Sequence, residues 1–259
     1  MRIKYRSCPM CSSPAFTKAG EYSCVDHHVY SPELPSTISW MKCDECGHVF
    51  TDGYFTKEAL EIIFRKTQSF QTPGSATAEG RSVWGPVVSM ISAMRGWNYS
   101  GSWLDVGFGS GALVAAAVEF GYQAAGIDLR EQSVSAMATM GYEVYAASLG
   151  QIGQAESFDV MSMADVLEHT PFPGDELKHA NRLLKPGGHL FVSTPNMECV
   201  VWKLWDMANN NPYWREMEHC HNFSRESLYA LLRRNGFEPV RFEISNRYAA
   251  CMDVVSVKK

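Results

Sequence analysis

The 259-residue sequence predicts an α/β chain: a doubly wound, Rossmann-like sheet preceded by a small cysteine-stapled module. Three observations predict it. The run "WLDVGFGSGALVAAAVEFG", from Trp103 to Gly121, reads as buried strand, glycine turn and helix, which is how a doubly wound domain opens. The run "YQAAGIDLR" then reads as a second strand ending in Asp128. Ahead of both, Cys8-x-x-Cys11 and Cys43-x-x-Cys46 stand 31 residues apart.

Composition bounds the function. The 46% hydrophobic and 20% charged content is that of a globular chain. A formal charge of -5 is the wrong sign for a nucleic-acid binder. No apolar run reaches the ~20 residues that cross a bilayer, and "MRIKYRSCPMCSSP" has no signal-peptide core. A cytoplasmic location follows as the expectation. Thiols stay reduced there, so the eight cysteines call for a reading other than disulfides.

Residues 1–55 form the expected first module. Each Cys-x-x-Cys knuckle presents two thiolates, and Gly47 suits the positive φ such a turn needs. Two knuckles make the tetrahedral set that zinc favours, so Cys8, Cys11, Cys43 and Cys46 are read as ligands of a structural zinc. The segment between the pairs has room for a strand hairpin. Cys24, His27, His28 and His48 lie nearby as substitute ligands. Residues 1–60 carry six basic and seven acidic side chains, a poor grip for phosphate backbones.

Residues 56–96 read as a helical linker or lid. "TKEALEIIFRK" has apolar residues at 59, 60, 62, 63 and 64, a helical spacing. "TQSFQTPGSATAEG", residues 67–80, is the expected linker or mobile lid. A second helix is expected from about Pro86 to Arg95.

Residues 97–259 form the expected main domain. The glycines are spaced Gly107-x-Gly109-x-Gly111, one residue short of the dinucleotide fingerprint. Asp128, 17 residues past Gly111, ends strand two where an acid can bind ribose hydroxyls. "FDVMSM" reads as a buried strand. "DELKHANRLLKPGG" is a helix with a Pro-Gly-Gly stop, and "HLFVSTPN" a strand. In "FSRESLYALLRRNGF", Ser224 is the N-cap, with a Phe223–Leu228 staple and Gly236 at the C-terminus. "EPVRFEIS" and "ACMDVVSVK" are two late strands.

Taken together, "LDVGFGSG", "GIDLR", "FDVMSMADVLEH" and "LKPGGHLFVSTPN" resemble class I S-adenosylmethionine-dependent methyltransferases, from Gly101 to Lys259. The resemblance implies a seven-stranded sheet with a terminal hairpin, and S-adenosylmethionine as cofactor. It implies that Asp105, Gly107, Gly109 and Gly111 hold the methionine part, that Asp128 binds the ribose and that Leu129 lies against the adenine. Ser148 and Leu149 occupy the place after strand three where members meet the adenine edge.

Ligands in such a sheet bind beyond the carboxyl ends of the strands. Asp165, Glu168 and His169 follow one of them at i, i+3 and i+4, so a helical turn would put them on one face. They are read as the floor of the methyl-transfer pocket, with His169 and Asp165 as its catalytic candidates. The pattern also resembles ubiquinone-type O-methyltransferases, where the corresponding trio binds a divalent cation. After the next strand, Trp202, Trp205, Tyr213 and Trp214 make a candidate acceptor cap, and His219 or His221 a candidate general base.

A zinc ribbon joined to this kind of domain resembles enzymes that modify sugars and polysaccharides, including sugar-nucleotide C-methyltransferases. Those carry a further C-terminal domain, whereas this chain ends at the hairpin. The expectation is therefore O-methylation of a sugar, sugar nucleotide or related hydroxyl metabolite, with no nucleic-acid or membrane partner. The alternatives are a ribosomal-RNA methyltransferase and a non-catalytic zinc-ribbon partner protein.

Overall fold

The computed structural model describes residues 1–67, 72–74 and 77–259. Of the linker expected over residues 67–80, residues 68–71, 75 and 76 lie outside the described residues, and residues 77–80 open a helix. The chain opens with β1 (Arg2–Lys4), a hairpin of β2 (Phe16–Ser23) and β3 (Thr37–Cys43), then β4 (Val49–Thr51) and β5 (Gly53–Phe55). The hairpin fills the long interval between the two cysteine knuckles. Two helices follow, α1 (Lys57–Thr67) and α2 (Thr77–Met94). The second begins about nine residues before the expected start, so Pro86 lies inside it.

The main domain alternates strands and helices: β6 (Ser102–Val106), α3 (Ala112–Glu119), β7 (Gln123–Asp128), α4 (Glu131–Thr139), β8 (Glu143–Ala146), β9 (Phe158–Ala164), α5 (Pro173–Leu183) and β10 (Leu184–Pro195). After it come α6 (Val200–Met207), β11 (His221–Asn222), α7 (Arg225–Arg234), β12 (Phe237–Ile244) and β13 (Cys251–Lys258). The large sheet has seven strands in the order β12-β13-β10-β9-β6-β7-β8. Five are parallel, and β13 and β12 add an antiparallel hairpin. This is a Rossmann-like methyltransferase sheet.

Period-two alternation explains the three layers. Leu104, Met161, Leu190 and Val192 face one side and pack with Leu177 and Leu183 of α5 and Leu228 and Leu232 of α7. Trp103, Val160 and Phe191 face the other and pack with Val88 and Ile91 of α2 and Val114 of α3. β6 pairs with β7 on one side and with β9 on the other. The chain therefore reverses direction across the sheet at β6 and β9, and a crevice opens beyond their carboxyl ends.

The N-terminal module is built into this domain. β11 pairs with β4 and completes the four-stranded sheet β11-β4-β3-β2. Trp40 donates from Nε1 to the Trp214 carbonyl at 2.9 Å, and Trp214 stacks on Tyr22. Ile38, Trp40, Ala59 and Ile63 share one core with Met217 from the segment before β11. Among the described residues no helix is long and apolar enough to cross a membrane.

Candidate functional site

A cavity of about 770 Å³ fills the crevice beyond β6 and β9. Its floor is the glycine turn. Gly107, Gly109 and Gly111 have φ of 65°, 58° and 80°. A Cβ on Gly111 would fall 2.3 Å from the flexible end of the Met137 side chain, and the positive φ disfavours any larger residue there. No side chain caps the first turn of α3 at Gly111, which leaves its backbone donors to whatever occupies the cavity.

Asp105 sits at the end of β6, buried, with the Ser162 hydroxyl donating to it at 2.6 Å. Burial pushes its carboxyl up to about 7, against the pull of Ser162 and of the Arg247 charge. A cation beside it would favour its ionised form. Asp128 ends β7 and accepts from the Gly109 N–H at 3.2 Å. Its carboxylate is also held by Arg130, from the backbone N–H and Nε at 2.9 Å and from Nη2 at 2.6 Å. Leu129 lines the cavity and is 64% exposed. Ser148 instead caps a short 3-10 turn, and Leu149 is buried in the main core. Neither lines the cavity.

The segment after β9 forms a turn and not the helical face that i, i+3, i+4 spacing suggests. Asp165 takes φ of 55°, which no helix contains, and its side chain leaves the others. Its carboxylate pairs with Arg247, which also donates from Nη1 to Ser193 Oγ at 3.2 Å. The guanidinium lies 4.5 Å from the Trp84 ring centre and 4.9 Å from that of Tyr248. The Asp165 carboxylate thus faces Arg247 and not Glu168 and His169. His219 instead brings a ligating atom within 4.8 Å of those of Glu168 and His169.

His169 lines the cavity; His219 and His221 do not. His169 Nδ1 lies 3.2 Å from the Glu218 carbonyl oxygen. A carbonyl only accepts, so Nδ1 carries the proton and Nε2 of the neutral ring is left with a lone pair. Burial lowers the pKa of this imidazole, but Glu168, Glu218, Glu216 and Asp165 outweigh it and raise the net value. His219 packs edge-on against His169 at 4.7 Å. Burial, with the His169 charge, drives its pKa down to about 3. His221 is fully buried, pushed down to about 4 by that burial, and bonded to His48. Glu168 is buried too, and desolvation raises its carboxyl to about 7.

The aromatics expected as an acceptor cap pack instead. Trp202 stacks on Tyr213 at 4.8 Å and meets Trp214 edge-on. Together they fasten α6 to the N-terminal module. The apolar wall of the cavity comes from Leu60, Ile63 and Phe64 of α1, Trp84 of α2, Phe172 and Tyr248. Sequence reasoning expected the N-terminal linker and helix to reach this site, but did not single out Arg130, Arg247, Glu218 or the individual wall residues. Arg130 carried a signal, two positions after an acidic strand end; Arg247, in the loop between β12 and β13, carried none.

The four knuckle cysteines converge in the N-terminal module. Their sulfurs lie within 4.8 Å of one another, with Cys8–Cys46 at 3.7 Å and Cys11–Cys43 at 3.5 Å. Tetrahedral zinc with bonds of ~2.3 Å needs sulfur–sulfur edges of about 3.8 Å. Gly47 has φ of 69°. Of the substitute ligands, His48 is bonded to His221 and His27 pairs with Glu216.

A glycine turn, an acid at each of two adjacent strand ends and a crevice at the switch point are laid out as in a methyltransferase domain. Residues 84–241 match the methyltransferase-domain family, and the chain belongs to it. Curated relatives include the ubiquinone biosynthesis O-methyltransferase of Idiomarina loihiensis, 38% identical over 113 residues, 40% of this chain and 46% of that protein. That of Ralstonia nicotianae is 35% identical over 168 residues, 58% of this chain and 71% of that protein. The chain spans about half the length of several such relatives. In fold it is similar to the 1,6-didemethyltoxoflavin-N1-methyltransferase of Burkholderia thailandensis with bound S-adenosylhomocysteine. The TM-score is 0.57 and the identity 20%, covering 83% of this chain and 97% of that one. Magnesium protoporphyrin IX methyltransferase of Synechocystis PCC 6803, also with S-adenosylhomocysteine, gives 0.54 at 19% identity over 80% and 90%.

Proposed function

We propose that this enzyme transfers the methyl group of S-adenosylmethionine to a hydroxyl of a small ring-bearing acceptor, a sugar, sugar nucleotide or related metabolite. His169 would be the general base. The observation that carries this reading is the tautomer of His169: among the described residues it is the one imidazole lining the cavity, and the Glu218 carbonyl leaves its Nε2 free to take a proton. The acceptor oxygen attacks the methyl carbon, the S–C bond breaks to give the neutral thioether, and the hydroxyl proton passes to Nε2. Most of the rate comes from holding oxygen, carbon and sulfur in line, with the base adding its share.

Asp105, Gly107, Gly109 and Gly111 would hold the methionine part, with Asp105 meeting the ammonium. Asp128 would bind the ribose, and Leu129 would lie under the adenine. Ser148 and Leu149 drop out of the adenine site. The aromatic wall beside Asp165 and Glu218 suits a polyhydroxylated ring, whose C–H face stacks while its hydroxyls find carboxylates. A phenolic ring is the second reading, favoured by relatives named for ubiquinone biosynthesis. Cys8, Cys11, Cys43 and Cys46 would hold a structural zinc, since their sulfur spacings fit the tetrahedron.

Methyl-labelled S-adenosylmethionine, incubated with nucleotide sugars, catechols and RNA in separate reactions, tests the acceptor. Label in the sugars is expected. Label in catechols alone selects the phenolic reading, and label in RNA alone defeats a small-molecule acceptor.

A further inference from the structure

The turn that carries His169 is held by β11 and by the N-terminal module on which β11 pairs. Cys220 and His221 donate their backbone N–H groups to the Glu168 carbonyl, at 2.6 and 3.2 Å. The Tyr5 hydroxyl of the N-terminal module donates to the Pro171 carbonyl at 2.8 Å. Between them, His221 Nε2 lies 2.9 Å from the Thr170 carbonyl, and His221 Nδ1 lies 3.0 Å from His48 Nε2.

These contacts settle both tautomers. The Thr170 carbonyl can only accept, so His221 Nε2 carries the proton. A neutral imidazole has one such proton, so His221 Nδ1 accepts, and His48 Nε2 must be its donor. Both rings are buried, His48 at 2% and His221 at 0% exposure, where a second proton would leave a charge with no counter-ion. His48 packs among Phe50 and Phe223, apolar neighbours that offer its ring nitrogens no partner. The imidazole there answers a polar requirement.

We propose that His48, two residues after the second cysteine knuckle, is a positioning residue for methyl transfer: through His221 it fixes the Thr170 carbonyl, and with it the ring of the adjacent His169. The module is thus a brace for the reacting geometry as well as a folded unit. The catalytic part of this proposal rests on His169 being the base; the mechanical part does not.

Long-range proton–nitrogen NMR of the zinc-loaded full chain, labelled at histidine and saturated with S-adenosylhomocysteine, reads each tautomer directly. Wild type is expected to show the proton on Nε2 of His48 and His221 and on Nδ1 of His169. In His48→Leu the His169 Nδ1 proton signal is lost to exchange, with S-adenosylhomocysteine affinity within about twofold of wild type. His48→Gln, which keeps a donor, restores it. An unchanged His169 spectrum in His48→Leu, or a proton on Nδ1 of His221 in wild type, overturns the proposal. If His48→Leu fails to fold, the wild-type tautomers and His221→Gln, which still donates and accepts, decide it. Labelled-methyl transfer by the same variants separates the two layers. An altered His169 tautomer with undiminished transfer refutes His169 as base but leaves the brace standing.

Discussion

Replacing Asp105 with asparagine should make the unliganded protein more stable at alkaline pH while ruining its cofactor site. Asp105 is buried, and that burial lifts its carboxyl to about 7. In the unfolded chain an aspartate ionises near ~3.9. The folded value lies above the unfolded one, so the fold favours the protonated form. The associated stability is complete below the unfolded value and is lost as pH rises through about 7. Integrated from pH ~5.5 to ~8.5, the wild type forfeits about 2 kcal/mol through this group. Asparagine has the same shape, can still accept from Ser162, and does not titrate. For a chain of this size the melting-temperature gap between variant and wild type should therefore widen by roughly 4–8 °C across that interval. Other titrating groups, Glu168 among them, cancel in the difference. Thermal melts followed by circular dichroism at both pH values supply the numbers. Parallel pH curves for the two proteins would refute the argument that Asp105 is an uncompensated buried acid. In the proposed reading the cofactor ammonium supplies the compensating charge, so saturating S-adenosylhomocysteine should shrink the gap.

Other outcomes follow from the same geometry. Asp128→Ala removes the proposed acceptor for the ribose hydroxyls and should weaken S-adenosylhomocysteine binding by on the order of 100-fold in calorimetry; unchanged affinity would move the ribose elsewhere. His169→Gln should lower kcat by roughly 10²–10⁴-fold at unchanged S-adenosylhomocysteine affinity. Because neighbouring carboxylates raise the His169 pKa, wild-type kcat/KM should fall as pH drops through a value above that of free histidine. A flat profile, or full activity in the variant, would remove His169 as base. Cys43→Ser should lower bound zinc from about one ion per chain and loosen the N-terminal module, read by metal analysis and proteolysis; full-length zinc-free protein of wild-type stability would exclude a structural zinc. Since Arg247 occupies Asp165, methyl transfer should survive chelation of divalent cations in zinc-replete protein. Loss of activity, restored by magnesium, would assign a cation to Glu168, His169 and His219.

Local pattern by itself determined the parts of this protein whose causes are local. The glycine spacing at 107, 109 and 111 dictates a turn that only glycine can make, and the acid seventeen residues later marks the end of the next strand. The cysteine knuckles are likewise set by short spacing, and the capped helix at Ser224 by a few adjacent residues. Alternating apolar strands fixed which elements form the sheet. Partners far apart in the chain were decided only when the chain closed. The spacing of Asp165, Glu168 and His169 suggested one face, but a positive φ at Asp165 turned its carboxylate to Arg247, 82 residues away. Among three candidate histidines, one lines the cavity because β11 carries His221 into the four-stranded sheet, while packing buries His219 behind His169. The tryptophans expected as a cap met the N-terminal module, and the apolar wall of the cavity came from α1 instead. Side-chain type and spacing specify what a residue can do; which partner it meets is settled by burial and closure across the whole chain.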